Sequence, residues 1–367
     1  MKSQAELIAQ KLSAKFLAQG SYGSALAMKG SVVDQIVPVS ASVGSDLEES
    51  VPESAFAGLE VQSVGYEVGV KDQKVHIYVS RLSRRASQSV SSSEGQVVIE
   101  VNRIGKLLVR PEQASSASNQ GNIFIHKNRI ACGSSCAPSG ESYAGTMGAL
   151  VRKSRAKEAA LYIISNNHVL AACNHTAVGM PILSPANIDA SPTARAPGEI
   201  ARHSEICELR SGEPSLVQPC LEDLAIAKVT NSDAVSSWQG DEEHGFDTPC
   251  QIAPLKSGMR VKKFGRTTGL TSGTVEAKLN TPTPIPYKSR LFTATVWFKD
   301  IWTVAGDDGE PFALPGDSGS LVASEDGTAS VGVVFAATTQ GVYGLIMPMN
   351  HLATCFGKIE LVGSHGV

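Results

Sequence analysis

The chain lacks any apolar run approaching the roughly 18 residues that a membrane-spanning helix needs. A membrane-spanning helix is therefore not expected, nor a membrane partner. It has no surplus of basic residues: 32 Lys and Arg stand against 35 Asp and Glu, a net charge of −3. Nothing in that balance recruits nucleic acid or an anionic surface over the whole chain. An export signal is not expected either, because Glu6, Lys11 and Lys15 interrupt "MKSQAELIAQKLSAKFLAQG". The expected location is therefore cytoplasmic, where thiols stay reduced.

Cysteine is present but follows no metal or redox pattern. There are seven, an odd number. "CGSSC" (Cys132, Cys136) is not a CxxC motif. Cys173, His175, His203, Cys207 and Cys220 are the residue types that ligate zinc, but their spacing matches no compact zinc motif. Free, mostly buried thiols are expected, with no metal and no cofactor; shared ligation by that cluster stays the alternative.

A composition of 42% hydrophobic and 18% charged residues places the chain among ordinary globular proteins. Ile8, Leu12 and Phe16 are four apart, with Gly20 beyond them, which predicts an amphipathic helix packed on the protein. Residues 21–58 carry no clear period and read as loop. Val75, Ile77 and Val79 alternate with His76 and Tyr78, after a turn at "KDQK". "PEQASSASNQGN" (111–122) has linker composition. The expected division is an α+β domain over 1–115, a linker over 116–122 and a second domain over 123–367. After residue 122 short β-rich runs recur between Gly, Pro, Ser and Asn turns, and long helices are absent, so an antiparallel barrel or sandwich is expected. The Pro-rich stretch 176–219 reads as a surface insertion.

The chemistry concentrates at "LPGDSGSLV" (314–322). A serine hydroxyl needs a base to take its proton, and the base needs a group to orient it. An oxyanion needs N–H donors fixed in advance. Gly316 and Gly319 can take backbone conformations that other residues avoid, which would turn the N–H groups of Gly316 and Ser318 into one small space. The alternative is a turn that merely contains a serine. Of eight histidines, only His168 in "YIISNNHVLA" directly follows an apolar strand. Asp223 in "LEDLAIAKV" precedes another and suits the orienting role; Glu222 is the adjacent competitor, with a longer side chain.

The order His168, Asp223, Ser318 is that of chymotrypsin-like proteases. "GTMGALV", "LYIISNNHVL", "EDLAIAKV", "GRTTGLTSGTV" and "GDSGSLV" follow one another as the corresponding segments do. Over about residues 123–357 the chain resembles a trypsin-like serine protease, of the bacterial type related to the HtrA proteases and the plant NAL-like group. That resemblance implies a mainly β fold: two six-stranded antiparallel barrels of the chymotrypsin type, at about 123–235 and 250–357, after a small α+β N-terminal domain. It implies a serine endopeptidase acting on protein or peptide through an acyl-enzyme. His168 would be base then acid, Asp223 its orienter, Ser318 the nucleophile, and Gly316 and Ser318 the oxyanion hole. A regulatory partner would act through the N-terminal domain. The alternative is a catalytically silent protein-binding module on the same fold.

The sequence also departs from that pattern. No "IVGG" activation sequence precedes the first barrel; "RIACG" (129–133) resembles one faintly. No PDZ-like domain is expected after the protease. The residue six before the nucleophile, Phe312, aligns with the floor of the primary specificity pocket, and Ala336 and Ala337 with its wall. An apolar, narrowed pocket predicts cleavage after small aliphatic residues, because burying an unpaired charge there is strongly unfavourable. Asp307, Asp308 and Glu310 are the acids that a shifted loop would bring in instead.

Overall fold

The computed structural model describes residues 2–18, 59–71, 73–80, 89–91, 97–104, 107–109, 112–113, 121–153, 160–191, 195–214, 216–280, 282–338 and 343–367. The loop expected over 21–58 and nearly all of the linker expected over 116–122 lie outside them. The described chain is mostly β.

Six strands close into an antiparallel barrel. Arg260–Gly265 pairs with Leu321–Ser324, which pairs with Ser330–Thr338, then Tyr343–Pro348, Trp302–Gly306 and Gly269–Leu279, which returns to Arg260–Gly265. Closure removes the unpaired edges that an open sheet would leave. The interior is apolar: Val261, Val275, Val304, Phe312, Val322, Val331 and Ile346 form one buried cluster.

A second array precedes it. Ser135–Pro138 pairs with Tyr143–Thr146, and the chain passes through Met147 and Gly148 into Ala149–Lys153. The path then runs through Leu161–Ser165, Ala225–Val229, Gly198–Ile206 and Pro181–Ser184, back to Ser135–Pro138. Where the chain passes from one strand to the next, Met147 N donates to Ser134 O (2.9 Å) and Gly148 N to Ile164 O (3.0 Å). Two of the array's strands, 181–184 and 198–206, come from the Pro-rich stretch expected to be a surface insertion. Ile182, Ile200 and Ala201 are buried in its core, which explains why that stretch folds inward.

The N-terminal helix Gln4–Ala18 buries Ala5, Ala9, Leu12 and Phe16 against the hairpin Val61–Tyr66 and Lys74–Val79. That sheet is continuous with the barrel, because Gly65 and Tyr66 pair with Leu279 and Lys278. Tyr78, Ile104 and Val109 share a hydrophobic cluster with Leu279, Phe335 and Leu345. The barrel thus carries the N-terminal strands on one long strand, Gly269–Leu279, which projects beyond the closed ladder.

Candidate active site

His168 lies in a single helical turn, Asn167–Leu170, directly after the buried strand Leu161–Ser165. Two asparagines hold that turn. Asn166 donates its amide to Asp223 O (2.7 Å), and Asn167 to Cys207 O (2.7 Å) and Asn174 Oδ1 (2.7 Å). Asp223 stands two residues before Ala225–Val229, the strand that pairs with Leu161–Ser165. The register therefore brings acid and imidazole together across 55 residues of sequence.

The Asp223 carboxylate is fully buried and accepts three hydrogen bonds. His168 Nδ1 donates to Oδ2 at 2.5 Å, His168 N to Oδ1 at 3.1 Å, and the Tyr287 hydroxyl to Oδ2 at 2.7 Å. A carboxylate only accepts, so Nδ1 carries a proton, and in the neutral imidazole Nε2 has the free lone pair. Nε2 is buried and has no hydrogen-bond partner among the described residues. The Tyr287 ring also meets the His168 ring edge-on, with centroids 5.9 Å apart. Burial, and then the charge of Asp223, push the Tyr287 hydroxyl well above its ordinary pKa, so it remains a donor. Glu222 makes no such contact. One of its oxygens is buried without a partner among the described residues, and burial pushes its pKa up to about 7.

Tyr287 had no advance signal. It sits in the hairpin Thr283–Lys288 and Thr293–Phe298, whose first strand reads "TPIPYK". Two prolines argue against a strand unless it is an edge, as this one is.

Ser318 occupies the turn expected of it. Gly316 and Gly319 have φ of +98° and +97°, a region that side-chain-bearing residues rarely adopt. A Cβ on Gly319 would also lie 1.9 Å from Ser165 Oγ and 2.4 Å from Thr146 O. The turn is stitched to the other array: Thr146 N donates to Ser318 O (2.9 Å) and Thr146 Oγ1 to Gly316 O (2.8 Å). Pro315 O accepts from Thr267 Oγ1 (2.7 Å) and Asp317 O from Ser320 N (3.0 Å). Because a trans peptide is planar, the N–H groups of Gly316 and Ser318 point away from those contacts. Neither amide has an acceptor among the described residues. The Ser318 hydroxyl itself donates to Phe335 O at 3.3 Å, and not to His168.

Beneath the turn, Asp317 is wholly buried and faces Lys263 Nζ at 3.2 Å, itself wholly buried. Thr267 N (2.8 Å), Thr268 N (3.1 Å), Thr268 Oγ1 (2.8 Å) and Leu314 N (3.0 Å) also donate to its carboxylate. Burial lowers the pKa of Lys263, against the pull of Asp317. An internal lysine, absent from the sequence-based reading, thus neutralises the acid next to the nucleophile.

The residues aligned with the specificity pocket separate. Phe312 is enclosed in the barrel interior, and a Cβ on Gly344 would meet its ring at 2.8 Å. Ala337 borders the same cluster, whereas Ala336 packs with Phe335 in another. Asp307 is engaged by Arg260, which also reaches Glu325. Among the cysteines, Cys207 is joined to Cys355, which corrects the expectation of free thiols for that pair. The helix around Cys355 packs the two residues together from 148 positions apart, a proximity without any local signal. Cys132, Cys136, Cys173 and Cys220 are buried and free, and burial raises the pKa of each. Among the described residues no group of three or more His, Cys, Asp or Glu is arranged to hold a metal ion.

No protein-family model and no curated protein matches the chain. Solved structures to which it is similar include Thermobifida fusca protease A, at 18% identity over 64% of this chain and 100% of that one, with a TM-score of 0.41. A glutamic acid-specific serine protease that uses a histidine triad in substrate binding is 16% identical over 64% and 100%, with a TM-score of 0.41. A Nocardiopsis protease is 16% identical over 63% and 97%, with a TM-score of 0.41.

Proposed function

We propose that the chain is a serine endopeptidase that cleaves peptide bonds through an acyl-enzyme. The observation that carries this reading is the buried His168–Asp223 pair, its Nε2 unpartnered among the described residues, on the array to which the Ser318 turn is bonded. In the reaction the Ser318 hydroxyl leaves Phe335 O and gives its proton to His168 Nε2 as Oγ bonds to the substrate carbonyl carbon. Asp223 then faces an imidazolium, which its charge stabilises. The oxyanion takes the N–H groups of Gly316 and Ser318. Collapse breaks the C–N bond while Nε2 returns the proton to the leaving amine, and water repeats the sequence to release the acid. Small aliphatic residues before the cleaved bond are the preference implied by aligning Phe312, Ala336 and Ala337 with the specificity pocket, and Phe312 itself lies enclosed in the barrel. The kinship to the HtrA proteases rests on the motifs alone.

A second reading, a silent binding module, draws on the Ser318 hydroxyl being bonded to Phe335 O. An active-site-directed fluorophosphonate separates the two. Stoichiometric labelling that is lost in Ser318→Ala supports the peptidase; no labelling leaves the binding module. A peptide-library profile then tests specificity, and dominance of Lys or Arg before the cleaved bond would refute the apolar pocket.

A further inference from the structure

A peptidase must hold its substrate backbone extended beside the nucleophile, and two strands next to Ser318 are already engaged by this chain's own residues. Leu107–Leu108 pairs antiparallel with Ser330–Thr338, at Thr338 and Ala337. Glu112–Gln113 pairs antiparallel with Tyr143–Thr146, at Ala144 and Tyr143. Between them Val109 is buried, donates its N–H to Pro286 O (3.2 Å) and bridges Tyr287.

Ser318 touches the same two strands. Its hydroxyl bonds Phe335 O, two residues before Ala337, and its carbonyl accepts from Thr146 N, two residues after Ala144. Along Ser330–Thr338 the partners follow in order. Leu321 faces Val333, Gly319 and Ser320 bond Val334, the Ser318 hydroxyl bonds Phe335 O, and Leu108 faces Ala337. Leu107–Leu108 therefore takes the next stretch of ladder beyond the nucleophile. Four extended residues reach at most about 14 Å, so the run from Leu108 to Glu112 ties two anchors that flank Ser318 closely.

We propose that Leu107–Val109 and Glu112–Gln113 are a built-in competitor that occupies the backbone-pairing edges an extended substrate peptide requires. This rests on the peptidase reading. A strand edge offers one row of N–H and C=O groups and pairs with one chain at a time, so own segment and substrate exclude each other. The segment is tethered on its N-terminal side through Val98–Arg103, Lys74–Val79 and Val61–Tyr66 to the barrel strand Gly269–Leu279. Tethering gives it an effective concentration on the order of millimolar, enough to outcompete a dilute peptide.

The test compares the full chain with Leu108→Pro, which removes an N–H from the ladder. A small fluorophosphonate does not need the strand edges, so it labels Ser318 in both chains at similar rates. Hydrolysis of an extended peptide substrate is expected to rise at least tenfold in kcat/KM, through KM, and a synthetic peptide of residues 104–115 restores inhibition. Equal KM in both chains, with no effect of that peptide, overturns the proposal. Labelling of neither chain overturns the peptidase reading instead. Recovery of the chain cut between Val109 and Glu112 overturns inhibition in favour of self-processing. Should Leu108→Pro fail to fold, amide exchange in full-length Ser318→Ala decides. Exchange at 107–109 accelerates on saturation with substrate peptide if the two compete, and stays unchanged if they do not.

Discussion

The Lys263–Asp317 pair gives the sharpest test of how the nucleophile turn is held. Lys263→Met removes the ammonium and keeps most of the apolar stem. Asp317 then stays buried but retains four donors: three backbone N–H groups and the Thr268 hydroxyl. Breaking a buried pair by removing one partner costs about 3–5 kcal/mol, and four surviving donors place this change near the lower end, about 3 kcal/mol. Asp317→Asn is worse placed. It leaves Lys263 with the Thr268 hydroxyl and the Phe312 ring, whose centroid lies 5.9 Å away. Its amide NH₂ also replaces an acceptor that faced several donors. About 5 kcal/mol is expected, with Lys263 losing its proton as burial already favours. Urea unfolding at pH 7 measures both, and fluorophosphonate labelling reports the turn in the fraction that folds. The double variant Lys263→Met with Asp317→Asn should be less destabilised than the sum of the singles. Lys263→Met within about 0.5 kcal/mol of the parent, which is what surface substitutions give, together with unchanged labelling, would refute the reasoning.

Tyr287→Phe removes one of three hydrogen bonds to Asp223; a bond to a charged group is worth about 1.5–3 kcal/mol, so kcat should fall about tenfold or more with KM little changed. Unchanged kcat would make Tyr287 a packing residue only. Asp223→Asn should lower kcat on the order of 10⁴-fold by disturbing the His168 tautomer, whereas Glu222→Gln should leave it near the parent value; the reverse result would reassign the orienting acid. Glu222, with a folded pKa of about 7 against an ordinary 4.5, binds more proton when folded. Stability should therefore fall as pH rises from 4.5 to 7, by up to about 3 kcal/mol, and thermal unfolding of Glu222→Gln should lose that slope. Reducing the Cys207–Cys355 bond opens a loop of 148 residues. Unfolding in urea with and without dithiothreitol should differ by up to about 5 kcal/mol, and no difference would mean that the bond does not form.

Local pattern carried a good part of this protein. The glycines flanking Ser318 were legible because positive φ is a property of single residues, and His168 and Asp223 stood out because each adjoins an apolar strand. Those strands were legible because burial on a pleated surface imposes its own short runs of Val, Ile and Ala. What the chain does not encode locally is which distant polar group meets another. Tyr287 lay behind two prolines, Lys263 in "RVKKFG" carried no sign of a buried partner, and Cys207 gave no hint of Cys355. The Pro-rich stretch hid two core strands because its apolar residues are sparse and interrupted. The pairing of residues 107–108 and 112–113 with strands on both sides of Ser318 had no sequence signature, since backbone N–H and C=O groups are common to every residue. Only closure of the barrel and the register of its neighbours decide where those groups meet, and that decision belongs to the tertiary structure.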